Sequence, residues 1–487
     1  MTEGNEPFSV ALARLAGEDP DRPALTVGDV TLTRSELDRH SNRLARAFSA
    51  EGVGHDDLVT IALPNSVDFV ATAIACWKLG AIPQPVSWRS PLRELRTIVA
   101  LADPALVVGV DCDAVPGRAV WTSNRVPDPD ISDGPLPPVM GSSWKAPTSG
   151  GSTGRPKLIL SGERPLVPTE PKLGLQPNGC VVIPGPLYHN APFTVASYGL
   201  VHGNHVVVLP AFDARATLEA IHEHRPDFIQ LVPTMMVRIL RLPESERAEF
   251  DLSSLRRVWH MGAPCPGWAK EAWLRWLNPE VVWELYAGTE AQAATMIRGD
   301  EWLERRGSVG RVTVGEMRVV DPESHAELPP GAVGEVYLRP VSGASPSYRY
   351  IGAEPRAIAD GWESLGDMGW FDEDGYLFLT DRRTDMIVSG GANIYPAEVE
   401  AALSEHPNIL SCAVIGLPDE DLGQVVHAVL QRTAGDRVPR DDELRAFLAD
   451  RLVRYKIPRR FEWVDQPVRD DAGKVRRSAL REERLAR

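Results

Sequence analysis

The chain has 487 residues and a formal net charge of −15, with 43% hydrophobic and 24% charged residues. That length exceeds what one hydrophobic core serves, so two or more globular domains are expected, and the acidic balance argues against a nucleic-acid partner. No apolar run reaches the roughly 18 residues of a membrane span, the start lacks a basic and then apolar leader, and the five cysteines form no Cys-x-x-Cys pair; this predicts a cytoplasmic protein without disulfides or structural zinc.

From Ala24 onward strand and helix alternate. Thr33-Arg34-Ser35-Glu36 fits a capping box, and Leu37, Leu44, Ala45 and Phe48 follow at helical spacing. Leu58 to Leu63 reads as a buried strand, Val67 to Leu79 as an apolar helix closed by Gly80, and residues 104–108 as another short strand. This alternation predicts a layered α/β domain. Residues 112–142, rich in Pro, Asp and Gly, read as a surface connection.

Next comes Thr148-Ser149-Gly150-Gly151-Ser152-Thr153-Gly154-Arg155-Pro156-Lys157. Its glycines allow positive φ and close backbone approach, so successive N–H groups can converge on an anion. The hydroxyls of Ser149, Ser152 and Thr153 and the Lys157 ammonium add donors suited to a polyphosphate. Leu158-Ile159-Leu160 follows as a strand where a Walker loop would enter a helix, so the reading is a strand–loop–strand phosphate grip. Taken alone, the segment also fits an ordinary Gly/Ser turn.

Further on, several strands end in loops with distinctive side chains. Val181-Val182-Ile183 leads to Tyr188-His189-Asn190; a helix from Phe193 to His202 and a strand from Val206 follow. The strand from Phe228 ends at Pro233-Thr234-Met235-Met236. Strand Val258 to Met261 ends at Gly262-Ala263-Pro264, and strand Val281 to Leu285 ends at Tyr286-Ala287-Gly288-Thr289-Glu290. In open α/β sheets, ligands sit at the carboxyl ends of strands, so these loops are expected to converge. From Gly310 the pattern turns to short strands. Polar residues Asp381 to Asp385 mark a domain boundary, and the remainder reads as a small α+β domain with helices Pro396 to Leu403 and Asp441 to Leu452.

In this order the loops resemble those of the adenylate-forming superfamily, which includes acyl-CoA synthetases, luciferases and nonribosomal peptide adenylation domains. The resemblance spans nearly the whole chain. It implies a large multi-layer α/β N-terminal domain (1–381), a hinge (382–385, pivot Thr384) and a small mobile α+β C-terminal domain (386–487). It also implies an acyl-CoA ligase that uses ATP or an acyl-adenylate, CoA and Mg²⁺.

By the same resemblance, residues Ser149 to Gly154 and Lys157 hold the β- and γ-phosphates, and Gly262-Ala263-Pro264 faces adenine. The Tyr286 ring stacks on the base beside Ala287, Thr289 meets the α-phosphate and Glu290 holds Mg²⁺. Asp367 and Arg382 bind the ribose. Lys474, in Asp471-Ala472-Gly473-Lys474, contacts the carboxylate and α-phosphate as the adenylate forms. Ser389-Gly390-Gly391 lines the pantetheine tunnel after the small domain rotates. His189 gates an acyl pocket lined by Asn190, Phe193, Thr234, Met235 and Met236, and Pro186 to Pro192 is most similar to ligases of bulky polycyclic acids, bile-acid or diterpenoid in type.

The partners implied are a small carboxylic acid and CoA, with a homodimer allowed. Gly150 and Leu158 in the phosphate loop, Ala287 after Tyr286 and Thr384 at the hinge depart from the common family pattern and together keep open a ligase that acts on a preformed adenylate. A carrier-protein-loading adenylation domain and a nucleotide-binding sensor without turnover also stay open.

Overall fold

In a computed structural model, residues 6–150, 156–341, 346–432, 437–471 and 473–486 are described. The large domain is built on a mixed 14-stranded sheet. Its parallel half runs Pro23–Val27, His205–Val208, Cys180–Ile183, Phe228–Leu231, Arg257–Met261 and Val282–Ala287. From Ala294–Arg298 onward the neighbours are antiparallel, ending with Gly334–Arg339 and Glu316–Val320. A second, parallel sheet of four strands carries Ile82–Pro85, Leu58–Ile61, Leu106–Val108 and Val120–Trp121.

Alternation along the strands feeds two cores. Val181, Ile183, Val206 and Val208 face one layer, with helices Val67–Leu79 and Asn190–Val201 and the second sheet. Val182 and Val207 face the other, with helices Ala214–His224, Pro233–Leu240 and Gly267–Trp276. Adjacent side chains point to opposite faces, so runs of valine are apolar on both because both faces are covered. Each such side chain contributes about 1.5–3 kcal/mol by leaving water.

Local signals held where their chemistry is local. Thr33 and Glu36 form the reciprocal capping box, and Gly80 at φ 68° closes helix Val67–Leu79. Three readings are corrected. The connection 112–142 contains strand Val120–Trp121, because Trp121 buries against Phe48 in an edge-on ring contact. The helix expected from Phe193 begins at Asn190, and the strand expected to stop at Leu285 runs to Ala287 by pairing with Ala294–Arg298.

The small domain pairs Ile409–Asp419 with Gly423–Arg432 and adds Arg460–Val464 in parallel, under helices Pro396–Ser404 and Asp441–Ala449. Its buried Glu400 accepts from Arg469 at 2.6 Å and Arg477 at 2.7 Å, which stabilises a carboxylate that burial alone would disfavour. Strand Tyr376–Arg382 pairs with Trp362–Phe371 and Ser308–Val314 in the large sheet. Among the described residues, no helix is long and apolar enough to cross a membrane.

Candidate functional site

The phosphate-grip segment is a hairpin flanked by Thr148–Gly150 and Pro156–Ser161, paired through Ser149↔Lys157 and Gly150↔Pro156. Gly151, Ser152, Thr153 and Gly154 lie outside the described residues. Leu158 is fully buried and pairs with Ile351 on the next strand. Its side chain therefore belongs to the core and does not intrude on the loop.

Lys157 Nζ lies 3.4 Å from Glu290 Oε1 and 3.7 Å from the centre of the Tyr350 ring. Tyr350 OH donates to the same Glu290 oxygen at 2.5 Å. Burial first, then Glu290, pushes the Tyr350 phenol well above its ordinary range, so it remains a donor. Burial lowers Lys157, and Glu290 opposes that fall. Nothing in the local sequence marks Tyr350. It reaches the site because strand Tyr348–Ile351 pairs with Pro156–Ser161.

Glu290 follows strand Val282–Ala287 through Gly288 and Thr289. A Cβ on Gly288 would stand 2.4 Å from Leu365 Cδ1 and 2.9 Å from Glu290 Oε2, so any larger residue would push these two side chains aside. Glu290 is 6% exposed and Thr289 is half-buried. Gly262 takes φ 86° directly after strand Arg257–Met261, turning the chain toward Ala263 and Pro264.

Tyr286, Asp367 and Arg382 form a connected group. Asp367 and Arg382 are register partners on adjacent strands. Tyr286 OH donates to Asp367 Oδ2 at 2.8 Å, and Arg382 Nε donates to Oδ1 at 3.2 Å. The carboxylate is thus aimed before any ligand arrives, and a carboxylate suits a pair of ribose hydroxyls.

Lys474 enters from the small domain. Its turn is closed by Asp470, whose N–H donates to Lys474 O at 2.9 Å and whose Oδ1 accepts from Lys474 N at 2.8 Å. Lys474 is exposed to solvent, yet the protein around it draws its ammonium down, with Asp470 and Glu290 opposing and Arg382 reinforcing that fall. The turn is docked by Arg89–Asp471 at 3.0 Å, Glu94–Arg476 at 3.1 Å and Tyr188 OH–Asp471 at 3.4 Å. Ser389, Gly390 and Gly391 form a tight hairpin turn with positive φ at both glycines. Gly390 N–H donates to Leu422 O, within the small domain.

The expected acyl-pocket residues separate into two groups. His189, Asn190 and Thr234 stand at the first turns of helices Asn190–Val201 and Pro233–Leu240. Among the described residues His189 Nε2 is buried without a hydrogen-bond partner, and burial, then Lys474, pulls the imidazole down to about 3. Phe193 stacks on Trp144 with ring centres 6.0 Å apart, inside the core. Met236 is fully buried with its carbonyl accepting from Trp273, and Met235 is 3% exposed. Sequence reading passed over Lys145, whose Nζ donates to Asn190 Oδ1 and to Thr194 Oγ1 at 2.8 Å.

Does this set suit ATP, Mg²⁺ and CoA? The Tyr286–Asp367–Arg382 group and the hairpin with Lys157 match a nucleotide and its phosphates. Among the described residues no three metal-ligating side chains cluster. The lone buried Glu290 fits Mg²⁺, which takes one or two carboxylates and completes its shell with phosphates and water.

The comparisons agree with this geometry. Residues 12–348 match the model of the AMP-binding enzyme family, and residues 398–474 match its C-terminal domain. The chain is 33% identical over 490 residues to a feruloyl-CoA synthase from an Amycolatopsis species, covering 96% of this chain and 97% of the relative. It is 31% identical over 511 residues to indoleacetate–CoA ligase of Aromatoleum aromaticum, covering 96% of each. The o-succinylbenzoate CoA synthetase of Bacillus subtilis, solved with its acyl-adenylate intermediate, superposes with a TM-score of 0.81 at 25% identity, covering 98% of both chains. The chain belongs to the AMP-binding enzyme family, among its acyl-CoA ligases.

Proposed function

We propose that this enzyme joins a bulky, largely apolar carboxylic acid to CoA in two steps. In the first, a carboxylate oxygen attacks the ATP α-phosphorus, the bond to the β-phosphate breaks, and pyrophosphate leaves. In the second, the CoA sulfur attacks the acyl carbon, the bond to AMP breaks with its electron pair on AMP, and the thiol proton is lost.

The observation that supports this reading is the convergence of Lys474, Glu290, Arg382 and Asp367, drawn from both domains. Lys474 would offset the repulsion between the carboxylate and the α-phosphate. Asp367 and Arg382 would hold the ribose, Tyr286 the adenine, and Lys157 with the hairpin amides the outer phosphates. Mg²⁺ on Glu290 would supply charge neutralisation at the phosphates. His189, kept neutral by its surroundings, would border the acyl group without adding charge.

Because the turn that carries Lys474 is docked on Arg89, Glu94 and Tyr188 of the large domain, the described orientation suits the step assigned to Lys474 over the one assigned to Gly390-Gly391. Rotation of residues 386–487 about Thr384, within hinge 382–385, would exchange the two for the second. Relatives are named for ring-bearing acids such as indoleacetate and also for long-chain fatty acids; within that range a bulky acid is proposed, with a polycyclic acid at its upper end.

The reading limited to a preformed adenylate rests on Gly150, Leu158, Ala287 and Thr384. Burial of Leu158 in the core removes the second support. The test is a panel of carboxylic acids with ATP, Mg²⁺ and CoA, read as both AMP and thioester. AMP without thioester would point to a carrier protein or another acceptor. Thioester from a supplied adenylate alone would restore the restricted reading.

A further inference from the structure

Lys145 lies just ahead of the phosphate hairpin in Trp144-Lys145-Ala146-Pro147 and is 6% exposed. Desolvating an ammonium costs several kcal/mol unless it is well partnered. Among the described residues Lys145 has no carboxylate within ion-pair distance. Its Nζ instead meets two neutral oxygens, Asn190 Oδ1 and Thr194 Oγ1, and the face of the Trp144 ring at 4.1 Å. Asn190 and Thr194 are four residues apart on one helix, hence on one face.

This contact decides how Asn190 is turned. An ammonium has donors and no acceptor, so the atom of Asn190 that faces it must be the carbonyl oxygen. The usual ambiguity between amide oxygen and nitrogen is removed by chemistry. The NH₂ group is thereby directed away from Lys145. It makes no hydrogen bond among the described residues, and Asn190 is half-buried beside His189. A donor pair is held ready where the acyl group is expected. Burial draws the Lys145 pKa down to about 7, with Glu163 opposing and Lys172 reinforcing that fall; below neutral pH the ammonium form prevails.

We infer that Lys145 is a positioning residue that fixes the Asn190 amide as a hydrogen-bond donor to an oxygen borne by the acyl substrate beyond its reacting carboxylate. The favoured acids are then ring-bearing acids with a hydroxyl, ether or carbonyl oxygen, in preference to their deoxy counterparts. This inference rests on the reading that Asn190 lines the acyl pocket.

The test uses pairs of acids that differ by one oxygen, such as 3-phenylpropenoate with and without a ring hydroxyl. For each pair the ratio of kcat/KM is measured at pH 6, and the ratio of acid affinities by calorimetry. One neutral hydrogen bond contributes about 1 kcal/mol, roughly fivefold to tenfold. The full-length enzyme should favour the oxygenated acid by about that factor. Lys145→Met should bring the ratio near one, and so should Asn190→Ala, which guards against misfolding of the first variant. A native ratio at or below one overturns the inference, as does a ratio retained in both variants while overall activity falls. Thioester formation without any oxygen preference overturns this inference alone; failure to bind any acid of the panel overturns the ligase reading with it.

Discussion

Gly473 is seated against Thr234. A Cβ on Gly473 would stand 2.7 Å from Thr234 Oγ1 and 3.0 Å from Thr234 Cγ2, and the glycine takes φ 74°. The turn that carries Lys474 is therefore held against the first turn of helix Pro233–Leu240 in this orientation. Gly473→Ala adds both the steric conflict and the strain of a left-handed alanine. Adenylate formation, followed by pyrophosphate exchange, should fall at least tenfold, while thioester formation from a supplied adenylate changes less. Equal loss in both would mean that Gly473 does not select between orientations.

Lys474→Ala removes the cation itself. Charge-stabilising groups of this kind are worth ~10²–10³ in rate. Adenylation should drop by that factor, and transfer from a supplied adenylate to CoA should persist. A variant that loses transfer as completely as adenylation would contradict the role given to Lys474.

Tyr350→Phe takes one of two donors from the Glu290 carboxylate, leaving Lys157 alone beside it. The phenol is half-buried, so the ligand-free protein should lose about 1 kcal/mol. The unfolding midpoint in denaturant measures this. An unchanged midpoint would show that the contact contributes nothing to the resting site.

His260, Lys270 and Glu284, on strand Arg257–Met261, helix Gly267–Trp276 and strand Val282–Ala287, are all buried. Lys270 Nζ donates to Glu284 Oε2, and His260 Nε2 is 3.8 Å from the same oxygen. Burial brings the His260 pKa from 6.5 to about 4, with Glu284 opposing that fall. A folded pKa below the unfolded one means that the unfolded chain takes up the proton first. The stabilisation is complete above pH 6.5 and is lost as pH falls from there toward 4. His260→Leu should flatten this part of the stability–pH curve; an unaltered slope would place the titration elsewhere. Lys270→Met should cost about 3–5 kcal/mol at neutral pH by leaving Glu284 buried and unpaired.

Sequence alone determined what depends on neighbours in the chain. The Thr33–Glu36 cap and the Gly80 closure are chemistry within one turn, and both stand as read. The strand–loop–strand form around Lys157 was legible from its glycines and the apolar run that follows, and the parallel pattern set strands Arg257–Met261 and Val282–Ala287 side by side. Tertiary structure decided the rest. Tyr350 carries no local mark and joins Glu290 through strand pairing across the chain. Phe193 and Met236 looked like pocket walls from their place in the chain, yet packing against Trp144 and Trp273 encloses them. Leu158 looked like an obstruction in the loop until its side of the strand was known. Nothing in the sequence singled out Lys145, and lysine is seldom buried. Its burial, and so the direction in which Asn190 presents its amide, exists only once the helix Asn190–Val201 packs over it.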